Sequence, residues 1–160
     1  MKIMATTPGL EVGIHVFFGL LALLSTTALI SIIQIGSTNK RLIKILAIAT
    51  SLFVWFAWLT VIPVYTIAYA ADKAVIVAYP QTAPAHEFGM ETKEHIFYTG
   101  LFLAMLLPIL AYTVDIEKSW NRKLILWSAI IILIGGIIME ILGGWISVAA
   151  KQAWSFKAGG

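Results

Sequence analysis

Apolar residues run along the chain in four long stretches, at about 12–35, 43–70, 92–114 and 124–150, separated by polar segments. Each stretch has the roughly 20 residues that a helix needs to cross a hydrocarbon layer about 30 Å thick. A helix also satisfies its own backbone hydrogen bonds there, which an isolated strand does not. No strand-like alternation interrupts the pattern. It predicts an all-α fold: an integral membrane bundle of four transmembrane helices in one domain, with short turns at 36–42 and 115–123 and one long outer loop at about 71–92. Thr6, Thr7 and Pro8 suit the start of the first helix. Pro63 and Pro108 suit kinks in the second and third. A loop as long as the one at 71–92, expected to lack a helix of its own, often carries function. Residues 1–10 do not have the form of a signal peptide, because the apolar run that follows Pro8 and Glu11 is too long for an h-region.

Composition agrees with a lipid solvent. The chain is 60% hydrophobic and 12% charged, where soluble domains carry about 25% charged residues, and its mean hydropathy is +0.92. Charge also orients the helices. Lys40, Arg41 and Lys44 flank the first turn, and Lys118, Arg122 and Lys123 flank the third connection. The excess of Lys and Arg on cytoplasmic loops places both turns inside. The N-terminus, the long loop and the C-terminus then lie outside a cell membrane. The net charge of +3 comes without a basic run, so nothing points to nucleic acid. Cysteine is absent, which excludes disulfides, thiolate metal sites, iron–sulfur clusters and cysteine nucleophiles.

The polar residues inside the apolar stretches are the candidates for chemistry. Glu140 stands about 15 Å from the expected outer end of the fourth helix. A carboxylate at such depth is costly, faces the bundle interior and needs a partner. Gly136, Gly143, Gly144 and Ser147 lie on its side of the helix, and small residues let a neighbour approach closely. Glu11 with His15, and Glu91 with His95, are paired at i, i+4 near the outer ends of the first and third helices. The expected site is therefore His15, Glu91, His95 and Glu140, converging near the outer end. Three readings fit it: a copper, zinc or iron ion held by imidazole and carboxylate, haem b between His15 and His95, or hydrogen bonds that only hold helices together. His86, beside Glu87, reads as a solvated loop histidine. Trp55, Trp58, Tyr65, Tyr69, Trp120, Trp127, Trp145 and Trp154 read as packing and an interfacial belt. There is no phosphate-binding glycine loop, Ser/His/Asp pattern or zinc-protease motif.

The string Ala71-Asp72-Lys73-Ala74-Val75-Ile76, then Pro84-Ala85-His86, then Met90-Glu91-Thr92-Lys93-Glu94-His95, resembles a group of small four-helix membrane proteins of archaea and bacteria. The resemblance covers the long loop and the start of the third helix. In its lysine- and isoleucine-rich style the chain is also similar to small helical subunits that accompany the copper-dependent ammonia monooxygenase of ammonia-oxidising archaea. That resemblance implies a non-catalytic accessory subunit of a membrane oxidase or monooxygenase complex, with other membrane subunits and the lipid bilayer as partners. The alternative is a small metal- or haem-binding redox protein acting alone, and a proton path through Glu140 is a third reading.

Overall fold

A computed structural model describes residues 9–159 of the protein. Thr6, Thr7 and Pro8, expected to begin the first helix, lie outside the described residues. The described chain is helical throughout, with α1 at Gly9–Gln34, α2 at Lys40–Pro63, α3 at Ala70–Ile76, α4 at Glu91–Thr113 and α5 at Ser119–Lys157. π-helical segments at Val64–Tyr69 and Ala85–Met90 join α2 to α3 and lead into α4. Four stretches are long and apolar enough to cross a membrane: Leu10–Gln34, Lys40–Ile76, Ala85–Thr113 and Ser119–Lys157. The chain is thus a multi-pass, all-α membrane bundle.

The helices form a closed ring. α1 lies against α2 and α5, and α4 lies against the same two. Chain direction alternates around the ring, as short connections require. One end holds the connections 35–39 and 114–118 and is called the turn end; the other holds α3 and is called the cap end. At the turn end Arg122 donates from Nη2 to the carbonyls of Ile33 (3.1 Å), in the last turn of α1, and Ser37 (2.8 Å), just beyond it. Asn39 caps α2 by accepting the Leu42 amide at 3.0 Å.

The loop expected at 71–92 is mostly helix. Only 77–84 is irregular, and Thr82 fastens it by donating to the Ile76 carbonyl at 2.7 Å from a fully buried hydroxyl. The π-helical segment Val64–Tyr69 begins directly after Pro63. Pro63 has no N–H for the carbonyl one turn back, which loosens the ladder there without ending it. The second span therefore continues to Ile76, and α5 runs past Ala150 to Lys157. At 39 residues, α5 is about 58 Å long, roughly twice the hydrocarbon thickness.

Two apolar cores result. One fills the turn-end half, where fully buried Leu29, Ile43, Leu107 and Ile125 bring all four spans together. The other lies in the cap, where Tyr69, Val75, Ile76, Ala85 and Met90 pack on Ile146, Ala149, Ala150 and Ala153 of α5. Charged residues gather around the cap, including Asp72, Lys73, Glu87, Lys151 and Lys157, so that this end belongs outside the hydrocarbon.

Candidate functional site

Between the two cores lies a layer of polar groups contributed by all four spans. The inward face of α1 carries His15, Gly19, Ala22, Thr26, Leu29 and Ile33, at alternating spacings of four and three. That of α4 carries Lys93, Phe97, Gly100, Ala104, Leu107 and Ala111 in the same rhythm. On α5, Glu140 lies one turn from Gly136 and one from Gly143. His15, Lys93 and Glu140 are half-buried. They lie within electrostatic reach of one another: both Lys93 and Glu140 act on His15, and Glu140 acts on Lys93.

Each member is seated on a neighbouring helix. The His15 ring meets α2 at the Ala57 carbonyl, 2.8 Å from Nδ1. Since a carbonyl only accepts, Nδ1 carries the hydrogen and Nε2 is left as the other ring nitrogen. The Thr60 hydroxyl donates to the same carbonyl at 3.1 Å. Glu140 reaches α1 at Gly19, where an added Cβ would lie 2.7 Å from Oε1. Lys93 reaches α5 at Gly143, where an added Cβ would lie 3.1 Å from Nζ. The glycines at 19 and 143 are thus small because charged side chains from the next helix occupy the space beside them. Gly136 meets Leu23 in the same way, at 2.7 Å from Cδ2. Gly144 and Ser147 are exposed, so only part of the expected small-residue face lies between helices.

The four residues expected to converge are divided. His15 and Glu140 belong to the layer. Glu91 and His95 share one face of α4, as their spacing requires, but that face is exposed. Each is two residues from Lys93, a rotation of about 200° around the helix, so an inward Lys93 turns both outward. His95 Nδ1 donates instead to the Glu91 backbone carbonyl at 2.7 Å. His15 and His95 accordingly do not face each other, and among the described residues no three of His, Asp and Glu gather closely enough to hold one metal ion. Lys93 was the residue missing from the sequence reading. Its signal is its place at the head of the α4 stripe that ends in Ala104, Leu107 and Ala111.

Other polar groups are absorbed into the cap. Tyr69 and His86 are joined by a 2.7 Å hydrogen bond between the hydroxyl and Nδ1, which makes His86 a cap residue and not a solvated one. Tyr65 donates to Glu94 at 2.6 Å, and Trp154 Nε1 donates to Asp72 at 2.7 Å. Toward the turn end, the layer is followed by a hydroxyl cluster in which Thr50 donates to Ser25 at 3.1 Å and Thr26 donates to the Ala22 carbonyl at 2.6 Å. Comparison with protein families, curated proteins and solved structures found no match to this chain.

Proposed function

We propose that the protein is a non-catalytic accessory subunit of a larger membrane complex, of the oxidase or monooxygenase class, held in the cell membrane with the cap and both termini outside. The observation that supports this most is the cap. The second and fourth spans, at 37 and 39 residues, outrun the bilayer, and together with the start of the third they carry a second core. That core stiffens a surface on which Val77, Phe88 and Trp154 remain exposed among charged residues. A rigid, partly apolar surface beyond the lipid suits another protein, while the exposed leucines, isoleucines and phenylalanines along the spans suit lipid. Open hollows lie at the turn end, among Ser37, Lys40, Glu117 and Arg122 and beside Lys123. The oxidase or monooxygenase class rests on the lysine- and isoleucine-rich style of the chain, which is similar to that of small subunits accompanying ammonia monooxygenase. The orientation rests on Lys40, Arg41, Lys118, Arg122 and Lys123 at the turn end.

The test is purification from the native membrane in mild detergent. The subunit reading expects larger subunits to accompany the chain in a fixed ratio, and Phe88→Asp to release it while the released chain stays folded. Recovery of a stable lone monomer, with the variant behaving the same, contradicts the reading.

A further inference from the structure

Only part of the Arg122 guanidinium is used in tying α5 to the end of α1. Both bonds leave from Nη2. The N–H groups on Nε and Nη1 have no acceptor among the described residues, and neither nitrogen is sealed from its surroundings. Lys123, the next residue, is exposed and likewise forms no ion pair among them. The carboxylates of the turn end are engaged elsewhere: Glu117 pairs with Lys40 at 2.6 Å, and Asp115 Oδ1 accepts the Glu117 amide at 3.2 Å. Two cations therefore stand side by side without an anion of the chain's own.

Arg122 and Lys123 border an open hollow of about 360 Å³ between the end of α1 and the start of α5, lined also by Ile33, Gln34, Ser119 and Leu126. Its depth matches the membrane interface. Ser119 opens α5, and Leu126 lies about two turns, roughly 10 Å, farther in. The headgroup layer is about 5–8 Å deep on each side of the hydrocarbon. Ser119 and the two cations thus stand at headgroup level, Leu126 reaches the acyl chains, and the buried Ile33 adds an apolar wall. Because α5 begins at this end, its long basic side chains lean outward, toward the headgroups. Trp120 and Trp127, both exposed on the same stretch of α5, are residues that favour this interface. The neighbouring hollow at Ser37, Lys40 and Glu117 differs in holding a carboxylate, which repels an anion.

We propose that the hollow between α1 and α5 binds the phosphate of an anionic phospholipid. Arg122 donates from its remaining N–H groups, and Lys123 from its ammonium, to the phosphate oxygens; the Ser119 hydroxyl and the Gln34 amide are neutral donors beside them. Leu126 and Ile33 meet the start of an acyl chain, which distinguishes a lipid from a free phosphate. A zwitterionic lipid carries its own cation beside the phosphate, and the basic pair repels it, so the hollow prefers a headgroup without one. Under the orientation proposed above, this end meets the cytoplasmic leaflet, which carries the anionic lipids. The chemistry of the hollow does not depend on that orientation.

Native mass spectrometry of the full chain in mild detergent tests this, with phosphatidylglycerol and phosphatidylcholine of the same acyl chains at equal concentration. A single phosphatidylglycerol should be retained roughly threefold over phosphatidylcholine, the preference expected of an exposed ion pair. Inorganic phosphate in large excess should not displace it. Lys123→Glu should abolish the preference. Lys118→Glu makes the same change of charge outside the hollow and should keep it. Lys and Glu have similar helix propensities and both lysines are exposed, so both variants should fold, which gel filtration checks. Equal retention of the two lipids by the parent overturns the proposal, as does displacement by inorganic phosphate. So does a preference that survives Lys123→Glu, or one that Lys118→Glu removes to the same extent, which would make it a property of surface charge at large.

Discussion

Arg122→Met isolates what ties the turn end together. Arg and Met have nearly equal helix propensities, so α5 itself is not weakened. What disappears is the pair of bonds from Nη2 to the Ile33 and Ser37 carbonyls at 3.1 and 2.8 Å. A hydrogen bond from a charged donor contributes about 1.5–3 kcal/mol, and the half-buried setting lowers the sum of two to about 2–4 kcal/mol. A loss of about 3 kcal/mol lowers the folded-to-unfolded ratio roughly 150-fold. The measurement is reversible unfolding of the purified protein in mixed micelles by titration with dodecyl sulfate, followed by the fluorescence of Trp120 and Trp127. Arg122→Lys keeps the charge with a single point donor and should lie between the two. Lys123→Met removes an exposed neighbouring charge and should leave the midpoint unchanged. If Arg122→Met stays within about 0.5 kcal/mol of the parent, a change typical of surface substitutions, Arg122 does not tie α5 to the end of α1 and the reasoning fails.

Gly136→Val places a branched side chain where a Cβ already comes within 2.7 Å of Leu23 Cδ2, and should cost about 1–3 kcal/mol by overpacking. Adding Leu23→Ala should recover part of that loss, and strictly additive effects would show that the two residues do not meet. Lys93→Met removes the ammonium seated at Gly143, and in a double-mutant cycle with Glu140→Leu the two losses of stability should be non-additive by about 0.5–3 kcal/mol; strictly additive losses would refute the coupling. Thr82→Val deletes the 2.7 Å bond to the Ile76 carbonyl; a loss of about 1 kcal/mol should speed proteolysis within 77–84 roughly fivefold, and unchanged cleavage would mean that the hydroxyl does not fasten the cap.

The candidate site was half legible. Glu140 announced itself because a charge inside an apolar run is costly wherever the chain folds. His15 followed from its depth in the first stretch. Glu91 and His95 were placed correctly on a common face of α4, since i, i+4 spacing is a property of any helix, but that face is turned outward. The rotation of α4 is fixed by Ala104, Leu107 and Ala111 meeting α5 and α2, some way from the residues in question. Lys93 entered the sequence reading only as part of the string Met90–His95. The long loop was misread because the apolar run of the second stretch gives way near 71 to Asp72 and Lys73, with Pro80 and Pro84 following. In the structure the ladder survives Pro63 by widening to a π-helical segment, and contacts with α5 sustain α3.

The existence and number of the four spans follow from the order of residues alone, because the bilayer imposes one length and one backbone geometry on every apolar run that enters it. So does the need of Glu140 for a partner. The groups that Glu140 meets do not follow, nor does the cap. Each depends on how far a helix is turned about its axis and how far it slides along its neighbour. A span with apolar side chains all around has nearly the same free energy in lipid at any rotation. Contacts such as Gly19 with Glu140, Gly143 with Lys93 and Gly136 with Leu23 make the choice, and they form only when the helices are assembled.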